Sequence, residues 1–189
     1  MRAFGIFAAI IIILAGVWLW LPGKTAQAPE DVTNVNSMNT MTLSLTSSAF
    51  QNNGSIPSKF TCDADNISPA LEISGVPEGA KSLALIMHDP DAPREEGFTH
   101  WVAFNLSPTI NDISEGVEPQ GTAGSNGTGK SGYTGPCPPS GEHRYFFYLY
   151  ALDIDLTLSD GAGKTDVETA MQGHVLAQTE LMGKYQRLK

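Results

Sequence analysis

Two aspartates two positions apart, Asp89 and Asp91, close one apolar run, and a histidine, His100, opens the next. A second histidine, His143, opens a third run, with Tyr145 two residues on. Carboxylate, imidazole and phenol serve general acid–base chemistry, metal ligation and anion recognition by a histidine that a carboxylate orients. Each residue also has a plainer reading. Asp89-Pro90-Asp91-Ala92-Pro93 is stiff turn chemistry, and a lone histidine at a strand end is commonly a hydrogen-bonded structural residue. No H-x-x-x-H or H-E-x-x-H spacing occurs, so metal-assisted hydrolysis is the lesser alternative. His88 and His174 have no partner in the pattern and read as structural. Cys137 and His143 look like a nucleophile and its base, but Pro136 and Pro138 leave no helix N-terminus to lower the thiol pKa.

Positioning these groups falls to strands. Residues 82–87 (SLALIM) and 101–106 (WVAFNL) are short continuous apolar runs, the pattern of strands buried on both faces. The aromatic-rich stretch 143–155 is the longest strand expected, and His143 and Tyr145 share one of its faces. On the second run, alternation places His100 on the face of Val102 and Phe104. Residues 42–50 and 70–76 alternate and read as half-exposed strands. Between the second and third runs lies a long Gly- and Pro-rich loop, 121–142, of a length that is usually functional or disordered. Thr165-Asp166-Val167-Glu168 matches a capping box and predicts a short helix ending near Gly173, followed by a last strand over 179–188. If the three runs are neighbours, two histidines, two carboxylates and a tyrosine surround one pocket with apolar walls, the usual form of a small-ligand site.

Composition removes one class of partner. A net charge of −9 with 11 Lys+Arg and no basic run would repel a nucleic-acid backbone. The N-terminus points to a membrane instead. Phe4 to Leu21 carries no charge across 18 residues, and as a helix it would measure about 27 Å against a hydrocarbon core of roughly 30 Å. Trp18 and Trp20 suit the interface. A cleaved signal is the alternative, since Ala26-Gln27-Ala28 has the form of a cleavage site, although Pro29 disfavours cutting there. A buried core helix is the third reading. The expected organisation is a signal-anchor or transmembrane segment over 1–22, a flexible linker over 23–41 and a folded domain over 42–189. Both membrane readings place that domain outside the cytoplasm, either anchored by a single pass or secreted. There an even cysteine count permits a Cys62–Cys137 disulfide, the alternative being two buried thiols.

In order, DPDAP at 89–93, HWVAFN at 100–105 and GPCPPSGEHRY at 135–145 resemble the phosphatidylethanolamine-binding protein family, the Raf-kinase-inhibitor-like proteins. FTCDADNISPALEISGVPEG at 60–79 and AMQGHVLAQTELMGKYQR at 170–187 are similar to its bacterial and archaeal branch. The resemblance covers residues 43–188. It implies a mainly β, sandwich-like fold with peripheral short helices and a small surface pocket for phosphate, phosphorylethanolamine or similar anions. Its wall would be Asp89, Asp91, His100, Pro136, His143 and Tyr145, with Gly135 in the adjoining loop. It implies neither a metal nor a cofactor and no catalysis. The chain departs from the eukaryotic pattern by ending at Lys189 without the further C-terminal helix found there. The expected function is a small-anion binding module at the outer face of a membrane. The alternative is an inhibitor or interaction protein meeting a kinase or protease through the pocket and the 121–142 loop.

Overall fold

The computed structural model describes residues 42–187. The segment expected to cross or enter a membrane (1–22) and the linker (23–41) lie outside the described residues, among which no helix is long and apolar enough to span a bilayer.

Two antiparallel sheets pack face to face. The smaller takes β1 (Ser44–Thr46), β2 (Leu71–Ser74) and β5 (Asp112–Ile113) in the order β1-β2-β5. The larger is ordered β6-β4-β3-β7-β8, from β3 (Ser82–Asp89), β4 (Phe98–Leu106), β6 (Thr122–Ala123), β7 (Glu142–Leu152) and β8 (Val175–Gln186). Leu71 and Ile73 of β2 meet Leu83, Leu85 and Met87 of β3 and Phe147 and Leu149 of β7 in the inter-sheet core. The far side of the larger sheet buries Ala84, Ile86, Val102 and Phe104 against Val167 and Met171. The middle strands are therefore covered on both faces, which is why their sequences run apolar without alternating. Truncating Leu85, which has no exposed surface, would remove about 2–5 kcal/mol.

Two details differ from the sequence expectation. Helix α1 spans Lys164–Ala170, one residue before Thr165. Asp166 caps it by accepting the Gly163 N–H at 3.1 Å, so the working box is Gly163–Asp166 rather than Thr165–Glu168. Gly173, at φ +80°, turns the chain toward β8, which begins at Val175, four residues earlier than the pattern suggested. The second detail bears on the site. Met87 of β3 pairs with Trp101 of β4, but His88 pairs with Thr99, so β4 carries one extra residue there. This bulge lets His100 join the inner-face aromatics while Val102 and Phe104 stay on the outer face. Simple alternation from Val102 would have put His100 on the wrong side; an extra residue re-aims a side chain.

Candidate functional site

At one end of the larger sheet, the last residue of β3, the bulge of β4 and the start of β7 converge on a pocket of about 350 Å³. Asp89 and His143 share the inner face because their strands are hydrogen-bonded neighbours. Asp89 Oδ2 lies 2.8 Å from His143 Nδ1, with side chains only 4% and 8% exposed. The other carboxylate oxygen, Oδ1, accepts the Asp91 N–H at 2.8 Å. Asp89 is thus committed on both oxygens, and His143 keeps Nε2 for whatever enters the pocket.

His100 is held differently. Its Nδ1 donates to the Thr134 carbonyl at 2.7 Å, and its ring packs edge-on to Phe98 and Tyr145, with centroids 4.7 and 5.2 Å away. Burial pushes it down to about 4, only partly opposed by the Thr134 carbonyl and the Asp89 carboxylate. His100 is therefore neutral at physiological pH. The Tyr145 hydroxyl is sealed from solvent without a hydrogen-bond partner among the described residues. Burial raises it strongly, and the Asp89 charge nearby adds to that rise.

Of the residues the sequence nominated, Asp89, His100, Gly135 and His143 line the pocket. Tyr145 lies behind the two histidine rings rather than in the wall. Asp91 is turned away. It takes a bidentate grip from Arg144 Nε and Nη2 at 2.9 and 2.7 Å, plus the Arg144 backbone N–H at 2.9 Å. That guanidinium holds Asp91 down at about 2, so this aspartate clamps the 89–93 turn to β7. Pro136 is buried and offers its carbonyl to the Cys62 N–H at 3.1 Å.

The 121–142 loop supplies the pocket's remaining wall and is pinned along its length. Thr134 N–H donates to the His100 carbonyl at 2.9 Å, Gly135 N–H to Asn66 Oδ1 at 2.8 Å, and the Tyr133 hydroxyl to the Phe60 carbonyl at 2.7 Å. A disulfide joins Cys62 to Cys137, whose Cα atoms are 5.4 Å apart. Gly135 is the residue that permits this contact: a Cβ there would sit 2.5 Å from the Phe60 carbonyl oxygen and 2.6 Å from Asn66 Oδ1.

Sequence reasoning missed Arg94 and Phe98. Arg94 forms no ion pair among the described residues, and its guanidinium carbon lies 4.8 Å from the Phe98 ring centroid at the pocket. In the sequence it looked like one charge of a solvated turn, REEG. An arginine without a paired carboxylate in an otherwise acidic chain was the available signal. Among the described residues no three His, Cys, Asp or Glu side chains are grouped to hold a metal ion. Chemically, the pocket joins apolar walls, an oriented histidine, a neutral histidine and a cation.

Comparison with known proteins follows the same lines. The family model "Phosphatidylethanolamine-binding protein" matches residues 46–186. A UPF0098 protein of Methanothermobacter thermautotrophicus is 53% identical over 151 residues, covering 77% of this chain and 99% of its own. A UPF0098 protein of Chlamydia trachomatis is 46% identical over 149 residues, with the same coverage. Among solved structures, a putative phosphatidylethanolamine-binding protein homolog from Chlamydia trachomatis superposes with a TM-score of 0.76 at 45% identity, covering 78% of this chain and 99% of its own. YbcL of E. coli, described as a new member of the mammalian family, gives a TM-score of 0.73 at 28% identity over 77% of this chain and 99% of its own.

Proposed function

The chain belongs to the phosphatidylethanolamine-binding protein family, and from that premise we propose that it binds small phosphate-bearing or related anions at the outer face of a membrane. The observation that carries this reading is the buried Asp89–His143 pair at the pocket. Burying two such groups costs several kcal/mol of desolvation and is weak support for stability alone. Its use lies in fixing the ring: Nδ1 carries the hydrogen toward Asp89, and Nε2 is presented to a ligand.

An anion beside a carboxylate is reasonable here because Asp89 has both oxygens engaged before any ligand arrives. His143 in its protonated form donates from Nε2, and Arg94 supplies a positive charge not spent on a carboxylate. Charge-assisted hydrogen bonds contribute about 1.5–3 kcal/mol each. Three or four of them, set against lost ligand freedom, suggest roughly millimolar to micromolar affinity.

Placement outside the cytoplasm draws support from the disulfide, whose two cysteines are exposed, and from the uncharged stretch at residues 4–21. The test of the binding reading is calorimetric titration of the full chain with phosphate and phosphorylethanolamine. Saturable binding that His143→Ala removes is the expected result. Binding unchanged in that variant would move the ligand away from this pocket.

A further inference from the structure

We propose that the pocket accepts only anions that bring a hydrogen of their own, and that His100 imposes this by presenting a hydrogen-bond acceptor to the ligand. The inference rests on the anion-site reading and sharpens it. The ligand class is hydrogen phosphate or a phosphomonoester still carrying a P–OH group. Sulfate and phosphodiesters, which have none near neutral pH, are excluded.

The geometry fixes the hydrogen. His100 Nδ1 is 2.7 Å from the Thr134 carbonyl oxygen, and a carbonyl can only accept, so the hydrogen lies on Nδ1. A neutral imidazole has one N–H. Nε2 is then a lone pair, on a residue that lines the pocket with Asp89 and His143. The groups around the ring leave it neutral. Asp89 and His88 of β3 face it, as do His143 and Tyr145 of β7, Phe98 of β4 and the carbonyls of Thr134 and Gly135. Burial, joined by His88, outweighs Asp89 and the two carbonyls, and the ring titrates only near pH 4.

Two acceptors cannot bond to each other. An unprotonated oxygen placed against Nε2 leaves two lone pairs facing in a site with little water, whereas P–OH donates to it. A site built to bond a ligand hydrogen rejects the analogue lacking it by large factors, up to about 10⁴–10⁵ in favourable cases. His143 and Arg94 meet the remaining oxygens, so charge and proton are read by different residues.

Four probes on the full chain at pH 6.5 test the proposal: inorganic phosphate, methyl phosphate, dimethyl phosphate and sulfate. Sulfate carries at least as much charge as phosphate, and dimethyl phosphate carries the charge of the phosphate monoanion, so net charge alone cannot order them. Methyl phosphate controls for size and separates a free phosphate from an ester headgroup. The expected result is that phosphate and methyl phosphate bind at least about tenfold more tightly than sulfate and dimethyl phosphate. Sulfate binding as tightly as phosphate overturns the proposal and leaves the anion site intact. No binding of any probe overturns the anion site and the proposal together. An independent check is the nitrogen-15 signal of His100 Nε2. It should remain that of an unprotonated nitrogen from pH 5.5 to 8, and a protonated Nε2 in that range contradicts the proposal. In His100→Gln, whose amide can turn a donor to the ligand, the preference for phosphate over sulfate should shrink.

Discussion

The strand pair β7–β8 carries a histidine–aspartate contact at each end, and the two differ in what surrounds them. At the pocket end, His143 meets Asp89 at 2.8 Å with both side chains nearly sealed from water. At the other end, His174 meets Asp153 at the same 2.8 Å with side chains 42% and 46% exposed. Distance does not distinguish them; environment does. An exposed pair is screened, gives up side-chain entropy to form, and is worth about 0–1 kcal/mol. A buried pair holds its geometry, and losing one partner strands the other. The exposed contact ties a turn to a strand, whereas the buried one has the properties a ligand site needs.

Removing the carboxylate at each end sharpens the contrast most. Asp89→Ala leaves His143 and the Asp91 N–H without their acceptor and should cost about 3–5 kcal/mol in denaturant unfolding. Asp153→Ala should cost below about 1 kcal/mol. Equal losses would erase the distinction.

Acid is the next lever. The unfolded chain protonates His100 near pH 6.5, but the folded protein does so only near pH 4. Between those values the unfolded state binds the extra proton, so stability should rise with pH across this window, by about 3 kcal/mol in all. Unfolding followed at pH 4, 5 and 6.5 measures the slope, and His100→Gln should flatten it.

Gly135→Ala comes third. The added methyl meets the Phe60 carbonyl and Asn66, so the loop must shift, at a cost of about 1–3 kcal/mol and with weakened phosphate binding in the same titration. The smallest effect belongs to the half-exposed Asp91–Arg144 clamp. Asp91 is held at about 2, so its contribution is present above the ordinary aspartate value and lost as pH falls toward 2. With solvent screening this is roughly 1 kcal/mol or less, and Asp91→Asn should remove that acid-limb component.

Much of this was legible in the sequence because strand ends and apolar runs are local signals. The unbroken runs at 82–87 and 101–106 announced strands covered on both faces, and Asp89 and His143 stood where those runs stop. His100 was nominated for the right place by the wrong geometry. Period-two alternation set it with Val102 and Phe104, and a bulge, which pairing across strands creates, brought it to the inner face. Asp89 and Asp91 looked equivalent two residues apart, yet the Arg144 fork, more than fifty positions away in the chain, captures the second. Tyr145 does share the His143 face, but the packing of two imidazole rings over it is a tertiary fact. Arg94 escaped notice because an arginine between turn residues looks solvated until the fold places Phe98 beneath it.

His174 offers an internal control for the central claim, that the buried end of the β7–β8 pair binds an anion and the exposed end does not. The most direct measurement follows the ring signals of His100, His143 and His174 together while the full chain is titrated with phosphate. The account predicts saturable shifts at His143 and His100 with one common dissociation constant, and none beyond a small salt effect at His174. Shifts of similar size at all three rings, or none at His143 and His100 up to tens of millimolar phosphate, would contradict it.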